Sequence, residues 1–307
     1  MIHSLREAVW MLERGRRAVG RLAQWYCRAT PGGVGKGPAR RLAALALSGL
    51  EVEADSRHGG AYAIRLPEDW GFEQVYFDGT FETGTSEVIA EIVRSDDFVL
   101  DVGANFGWYT VLAARQLTTG VCHAFEPVAR SFAKLEGNVR RNRLEARTVL
   151  NRVGLSERSA VGNIYTFAGL PLGYASSSTL GRRDWSKEEV HFTTVDEYVR
   201  QRNLPRVDIV KMDVEGGEMA VLRGAEGLLS AEAPPIWILE MNREAAAAFG
   251  ERPEHFLEWF SSHGDYRYYR IVSAWGELRP MHSSSDFEHG DNVVCVPEQR
   301  AERLRIR

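Results

Sequence analysis

From about residue 96 onward, short apolar runs alternate with stretches of helical periodicity. The apolar runs are typical of strands that are buried on both faces. This alternation predicts an α/β fold with a mostly parallel sheet and helices on both faces. The predicted strands are 98–102, 120–125, 147–153, 207–212, 235–240, 266–272 and 292–296. The predicted helices are 107–117, 128–142, 196–203, 217–229 and 253–263. The last two strands are joined by a loop with Gly and Ser, which predicts one antiparallel strand.

The first 80 residues carry a different pattern, and we expect them to form a helical arm with a small β lead-in before a domain at 81–307. Four apolar residues recur at roughly helical spacing among arginines, which predicts an amphipathic helix, namely Val9, Leu12, Val19 and Leu22. We favour packing of this stripe on the domain. The alternative is contact with a membrane surface or an acidic partner through residues 1–28. Residues 61–65 and 74–77 predict a short hairpin.

Charge and composition exclude several classes of protein. The 307 residues include 38 basic and 42 acidic side chains, and 26% charged with 44% hydrophobic residues is typical of soluble domains. Residues 1–41 carry a net charge of +7, and the remainder carries −4 − 7 = −11. A nucleic-acid partner is therefore disfavoured, because phosphate binding needs a basic surface. The longest apolar run, 42–47, is far below the roughly 20 residues that cross a bilayer, so we expect a cytoplasmic protein without a transmembrane segment.

The candidate chemistry begins where the first predicted strand ends. Asp101 is followed by Gly103, Asn105 and Gly107, and a helix pattern starts at once. Such a turn lies beyond the carboxyl end of a strand, where open α/β sheets bind ligands. The glycine fingerprint of nicotinamide dinucleotide enzymes is not met, because its second and third positions fall on Asn105 and Trp108.

Two later strands add acidic residues at the same predicted edge of the sheet, where the carboxyl ends of the strands lie. Glu126 ends the second strand, 126 − 103 = 23 residues after the first glycine, which suits a carboxylate that binds ribose hydroxyls. The fourth strand holds Lys211 and ends at Asp213. A lysine inside a buried strand needs a partner, and we expect it to face Asp213, Glu240 or Asp101.

These motifs, in order and spacing, resemble the FkbM-type S-adenosylmethionine-dependent methyltransferases over about residues 81–297. The resemblance rests on Asp101–Gly107, Phe125–Pro127, Gly154–Glu157, Thr194–Asp196, Asp208–Gly216 and Asn292–Pro297. It implies a Rossmann-like class I methyltransferase that acts on oxygen. It also implies that 101–107 holds the methionine part of the cofactor, that Glu126 holds the ribose, and that Gly154 lies beside the adenine. Gly154 departs from the Ala or similar small residue expected there.

Asp213, aided by Lys211 and beside Glu240, is the candidate for orienting or deprotonating the acceptor hydroxyl. In a second, less favoured version, Asp213, Glu240 and Asn242 bind Mg²⁺. Residues 169–185 are the predicted substrate loop, with Ser176, Ser177 and Ser178. The acceptor class that the resemblance implies is a hydroxylated small molecule or sugar, such as a natural product, glycan or glycolipid. The rivals are a non-catalytic cofactor-binding or scaffold module and, less favoured, an NAD(P)-dependent reductase.

Overall fold

The computed structural model describes residues 2–30, 36–66, 69, 71–167, 175–179, 181–286 and 291–304. The chain divides into two compact units, Met1–Phe81 and Glu82–Arg307. The first unit contains, in chain order, α1 (Ile2–Ala29), α2 (Lys36–Leu47), β1 (Glu51–Asp55), β2 (Ala61–Arg65) and α3 (Glu73–Asp78). None of the helices in the described part of the chain is long and apolar enough to cross a membrane.

Helices α1 and α2 pack against each other through small residues. Gly20 lies so close to Leu47 that an added Cβ would come within 2.6 Å of its Cδ1. Ala23 and Cys27 share this buried side of α1. Leu12, Val19 and Leu22 of the predicted apolar stripe are exposed, so this stripe is not buried within the first unit. The side chain of Val9 lies outside the described residues.

The small hairpin consists of β1 and β2, paired antiparallel. The strand predicted at 74–77 is wrong, because this segment lies in α3. Three consecutive side chains of α3, from Val75 to Phe77, are buried, which removes the alternation that a strand with one solvent face would show. The helix ends at Gly79, whose left-handed backbone (φ 73°) is the usual C-terminal stop.

The second unit contains the remaining elements. Its helices are α4 (Thr83–Ile92), α5 (Trp108–Ala114), α6 (Ala129–Arg141), α7 (Val195–Gln201), α8 (Glu218–Arg223), α9 (Glu226–Leu229), α10 (Arg243–Ala247) and α11 (Pro253–His263). Its strands are β3 (Phe98–Val102), β4 (Val121–Phe125), β5 (Thr148–Asn151), β6 (Gly154–Leu155), β7 (Ala160–Phe167), β8 (Ala175–Ser176), β9 (Trp185–Thr193), β10 (Ile209–Met212), β11 (Ile236–Met241), β12 (Tyr266–Ile271), β13 (Leu278–Met281) and β14 (Asp291–Pro297).

The main sheet has the order β13-β12-β14-β11-β10-β3-β4-β5. Strands β5, β4, β3, β10 and β11 are parallel, and β14 pairs antiparallel with both β11 and β12. The predicted α/β class is confirmed, and β13 is an eighth strand beyond the seven predicted. The chain runs outward from β3 through β4 to β5 and then returns to β10 on the other side of β3. This reversal opens a crevice at the carboxyl ends of β3 and β10.

A smaller sheet, β6-β9-β7-β8, follows the main sheet's edge strand and was not predicted. The strand predicted at 147–153 is divided between β5, in the main sheet, and β6, in the small one. The antiparallel pair β7 and β9 is mostly exposed or half-buried, so it lacks the continuous apolar run by which a buried strand is detected.

Candidate active site

The turn after β3 brings the backbone against the end of β10. Gly103 has φ 78°, and an added Cβ would lie 1.8 Å from the carbonyl oxygen of Asp213. Gly107 has φ 88° and packs against Leu135. Between them, Asn105 adopts a left-handed backbone (φ 50°), which is uncommon for a residue other than glycine. Its Oδ1 is buried and has no hydrogen-bond partner in the described part of the protein.

Glu126 holds this turn from the end of β4. The backbone amide of Asn105 donates to its Oε2 (2.9 Å), and that of Val128 donates to its Oε1 (2.8 Å). Burial raises the pKa of Glu126 to about 7, although the two amides lower it. The two backbone amides fix the direction of the carboxylate, and each of its oxygens can accept a further hydrogen bond from a hydroxyl group.

Asp101 and Lys211 are cross-strand neighbours in the register of β3 with β10. Asp101 accepts a hydrogen bond from the Thr110 hydroxyl (2.5 Å), and burial raises its pKa to about 6. Lys211 is only 2% exposed, and its Nζ lies 5.1 Å from the centre of the Tyr109 ring. Burial alone would lower the pKa of Lys211. Nearby carboxylates outweigh burial and raise it, namely those of Asp213, Glu82, Glu240 and Asp101.

The segment after β10 lines the other side of the crevice. The amide of Asp213 donates to the Val102 carbonyl (3.0 Å), which fixes the start of the turn. Glu215 has a left-handed backbone (φ 53°). Burial, followed by the charge of Asp213, raises the pKa of Glu215 to about 9. Glu218 accepts hydrogen bonds from the amides of Val214 and Gly216, both 3.2 Å, so its carboxylate stabilises the turn into α8.

Glu240 lies on β11, in register with Asn292 on β14. Burial, followed by the charge of Asp213, raises the pKa of Glu240 to about 9, which favours its protonated form. The sequence-predicted residues Asp101, Lys211, Asp213 and Glu240 are thus brought together around one buried ammonium group.

Three residues at this site were missed by the sequence analysis. The Tyr109 hydroxyl donates to Glu82 Oε2 (2.6 Å), and Asn292 Nδ2 donates to the same oxygen at 3.5 Å. The Oδ1 of Asn292 is buried and finds no hydrogen-bond partner among the described residues. Glu82 also has a left-handed backbone (φ 38°), as Asn105 and Glu215 do. Such backbones concentrate at functional sites.

The magnesium version of the site does not fit the side chains. Asn242 Oδ1 accepts the amides of Glu244 (3.0 Å) and Ala245 (3.1 Å), so this side chain caps α10. Over the described ranges, no group of three or more His, Cys, Asp or Glu side chains is arranged to hold a metal ion. The predicted use of Asn242 as a ligand is therefore wrong.

The predicted substrate loop is described only in part, because residues 168–174 and 180 lie outside the described residues. Ser176 is buried, and its hydroxyl donates to the carbonyl of Glu215 (3.0 Å), which ties β8 to the turn after β10. Gly154 begins β6, where an added Cβ would come within 2.5 Å of the Phe192 ring. That ring explains why a glycine stands at this position.

The sequence resembles known methyltransferases. Residues 101–268 match the family described as the methyltransferase FkbM domain. The antimetabolite synthetase AmbE of Pseudomonas aeruginosa is 25% identical over 71% of this chain, which spans only 11% of AmbE. The hexuronic acid methyltransferase AglP of Haloferax volcanii is 29% identical, over 49% of this chain and 59% of its own length. The 31-O-demethyl-FK506 methyltransferase FkbM of Streptomyces tacrolimicus is 26% identical, over 44% and 61%.

Two solved methyltransferase structures resemble the chain weakly. An O-methyltransferase from Bacillus cereus, in complex with SAH, covers 71% of this chain and 80% of its own, with 10% identity and a TM-score of 0.38. An rRNA methylase from Streptococcus thermophilus covers 69% and 93%, with 13% identity and a TM-score of 0.39. Likenesses of this size add nothing to the strand order described above.

Proposed function

The chain belongs to the methyltransferase FkbM family, and from that premise we propose that it transfers a methyl group from S-adenosylmethionine to a hydroxyl oxygen of a small-molecule or sugar-containing acceptor. The observation that carries the proposal is the crevice between β3 and β10. It combines a fixed carboxylate, Glu126, with a second group of acids around the buried ammonium of Lys211. The first set suits a nucleoside cofactor, and the second suits an alcohol that must lose a proton.

The cofactor end of the proposal rests on the turn at 101–107. Glu126 would accept hydrogen bonds from the ribose hydroxyls, because backbone amides hold its two oxygens in place. The buried Oδ1 of Asn105, without a protein partner among the described residues, would accept a polar hydrogen of the ligand. We assign the methionine portion to Asp101, Gly103, Asn105 and Gly107, and the surroundings of the adenine to Gly154. When bound, S-adenosylmethionine supplies an electrophilic methyl group on sulfur.

The acceptor end is assigned to Asp213, Lys211 and Glu240. When the acceptor oxygen forms its bond to the methyl carbon, the carbon–sulfur bond would break with its electron pair left on sulfur, and the Asp213 carboxylate would take the proton that the acceptor oxygen loses. Lys211 keeps its positive charge, since the surrounding carboxylates raise its pKa. That charge stabilises the negative charge of the Asp213 carboxylate. The raised pKa of Glu240 favours its protonated form, which would donate a hydrogen bond that orients the acceptor rather than act as a second base.

Two observations support the proposed class of acceptor: the names of the relatives, and the polar side chains around Lys211. Relatives whose names specify a hexuronic acid or the 31-O position of FK506 favour hydroxylated acceptors. Side chains that donate and accept hydrogen bonds surround Lys211, which suits an alcohol or sugar. A nucleic-acid acceptor is disfavoured, because residues 42–307 carry a net charge of −11 and phosphates require basic surfaces.

Thermal unfolding tests the cofactor first, because it requires no acceptor. At about 100 times its dissociation constant, a ligand stabilises by roughly 2.7 kcal/mol, which corresponds to an increase in Tm of about 5–10 °C at roughly 2–4 °C per kcal/mol. We expect this increase with S-adenosylmethionine and S-adenosylhomocysteine, and none with NAD or NADP. Glu126→Gln should reduce it. An increase with nicotinamide nucleotides alone would contradict the proposal.

Asp213→Asn tests the acceptor end. Once an acceptor is found in a panel of sugars and hydroxylated small molecules, this variant should lower kcat about 10²–10⁴-fold, the usual contribution of a positioned base. The increase in Tm with S-adenosylmethionine should persist. Asp265→Asn, at an exposed position before β12, is the matched control. Full turnover by Asp213→Asn would remove Asp213 as the base, and cofactor binding without turnover of any acceptor would favour a non-catalytic module.

A further inference from the structure

Exposed apolar side chains are concentrated on the first two helices. Most of the large hydrophobic residues that the described part of the chain exposes lie on α1 and α2, namely Trp10, Met11, Leu12, Val19, Leu22, Trp25, Leu42 and Leu45. Leu22 is 68% exposed, Trp25 65% and Leu45 75%. Exposed apolar side chains that cluster on one helix, rather than being scattered singly, mark an interaction site.

Four exposed apolar residues of α1 form one face of the helix. Met11, Ala18, Leu22 and Trp25 are separated by seven, four and three residues, so they lie along one side of the helix. The opposite side carries the buried Gly20, Ala23 and Cys27. The helix is therefore amphipathic in an unusual sense: its small residues pack inward and its large apolar residues point outward. We call the outward set the apolar face of α1.

A row of arginines borders this face. Arg14, Arg21 and Arg28 are exposed and spaced by seven residues, so they run parallel to the apolar face. The guanidinium of Arg28 also donates to the carbonyls of Asp55 (2.9 Å) and Tyr76 (3.3 Å), so Arg14 and Arg21 are the members of the row that are open to a ligand. The guanidinium of Arg14 lies 4.3 Å from the centre of the Trp10 ring. Residues 1–41 as a whole carry a net charge of +7.

We propose that the apolar face of α1 binds the surface of an anionic lipid membrane, with the helix axis in the plane of the interface. Leucine, methionine and tryptophan side chains would enter the boundary between headgroups and acyl chains, and the arginine row would contact anionic headgroups. Tryptophan favours this depth, because its ring is apolar and its N–H is polar.

Charge decides between a membrane and a second copy of this chain. Two copies meeting through this face would bring their arginine rows together. Between residues 10 and 29 the sole acid is Glu13, which is half-buried and lies away from the apolar face. Such an interface would therefore gather like charges without partners, which is unfavourable. Anionic headgroups remove that repulsion, so the membrane is the complementary surface.

The test is flotation of the full-length protein with vesicles. We expect binding to vesicles of equal parts phosphatidylcholine and phosphatidylglycerol, much weaker binding to phosphatidylcholine alone, and weakening by added salt. The double variant Leu22→Ser/Trp25→Ser should bind anionic vesicles at least about tenfold more weakly. Arg21→Gln should weaken binding about fivefold. Trp275→Ser, on a residue that is 80% exposed in the second unit, is the matched control and should bind as the unchanged protein does.

Loss of fold cannot imitate this result, because the substituted side chains are exposed and an unchanged Tm verifies each variant. Equal binding to both kinds of vesicle, no binding to either, or equal binding by the double variant and the control would each overturn the proposal. Light scattering of the protein without lipid measures its oligomeric state in a separate experiment. A dimer that dissociates in the double variant but not in Trp275→Ser, together with no vesicle binding, would assign the face to a second copy instead.

Discussion

Gly103 sets how closely the turn after β3 approaches the end of β10. No side chain fits there, since an added Cβ would lie 1.8 Å from a backbone carbonyl oxygen that β10 holds in place. The residue also has a positive φ of 78°, a backbone conformation that glycine adopts readily because it has no Cβ and that other residues disfavour. The same close approach brings Asp213 to the crevice beside Asp101, so a backbone requirement and the arrangement of the site have one cause.

We predict that Gly103→Ala destabilises the protein by about 3 kcal/mol, from backbone strain and overpacking together. The cofactor-induced increase in Tm should be lost as well, because the turn must move. Chemical and thermal unfolding measure both effects. Gly137→Ala is the control, since it lies within α6 and an added Cβ there meets no atom within 4 Å. It should stabilise by about 0.5–1 kcal/mol. A Gly103→Ala protein as stable as the parent would contradict the packing described.

Much of the candidate site can be predicted from the sequence, for a physical reason. Parallel strands expose their carboxyl ends at one edge, so polar residues at Asp101, Glu126 and Asp213 meet there in any right-handed arrangement. Glu82 and Asn292 could not be predicted in the same way. Glu82 precedes a helix, and Asn292 reaches the crevice because β14 pairs with β11. The sheet order brings Asn292 to the crevice, and the packing of α4 beside α5 brings Glu82 to Tyr109. The local sequence pattern contains neither.

At the scale of elements, Arg300 joins the starts of two strands. It lies in a short 3-10 segment after β14 and donates to the Asp208 carboxylate (2.9 Å), just before β10. It also donates to the carbonyl of Pro234 (2.7 Å), just before β11. Asp208 in turn accepts the amide of Phe98, the first residue of β3. This cluster fixes the amino ends of the strands, away from the crevice.

We predict that Arg300→Met lowers the free energy of unfolding by about 3 kcal/mol, because the buried Asp208 loses a charged partner. Cofactor binding should survive below the new Tm, since the site lies at the other end of the strands. Urea unfolding gives the first quantity, and the cofactor-induced change in Tm gives the second. Arg267→Met removes an ion pair between two exposed side chains, Arg267 and Glu298, and should change the unfolding curve little. Equal effects of the two substitutions would refute the structural role of Arg300.

Elements with a strong pattern were predicted closely, and those with a weak one were not. The strand at 98–102 and the helix at 253–263 have the predicted bounds, because a buried strand needs a continuous apolar run and a surface helix a regular stripe. The segment 74–77 has four residues, too few to separate a buried helical turn from a strand. Between 154 and 193, β7 and β9 stabilise each other by pairing, which leaves little signal in either segment alone.

For the whole molecule, buried acids make stability depend on pH. Burial raises the pKa of Asp101 to about 6 and of Glu126 and Glu218 to about 7. Between their ordinary values near 4 and these raised values, the folded protein binds more protons than the unfolded chain, so stability falls as pH rises. Asp208 acts in the opposite sense. Burial would raise its pKa, but hydrogen bonds from Phe98, Arg206 and Arg300 lower it, so its contribution is lost as pH falls below about 4. Without ligand, maximal stability is therefore expected in mildly acidic solution.

We predict that Glu218→Gln flattens the decline in stability between pH 5 and pH 8. The amides of Val214 and Gly216 both donate to the same oxygen of Glu218, Oε1, so a glutamine carbonyl retains these two hydrogen bonds while the titrating group is removed. A pKa raised from 4.5 to about 7 corresponds to roughly 3 kcal/mol lost once the pH exceeds 7. The variant should therefore match the parent near pH 5 and exceed it at pH 8, measured by urea unfolding across this range. Glu226→Gln, at an exposed position that begins α9, should leave the slope as it is. A parent whose stability rises steadily from pH 5 to pH 8 would show that these carboxyl groups are ionised in the folded state, against the burial that surrounds them.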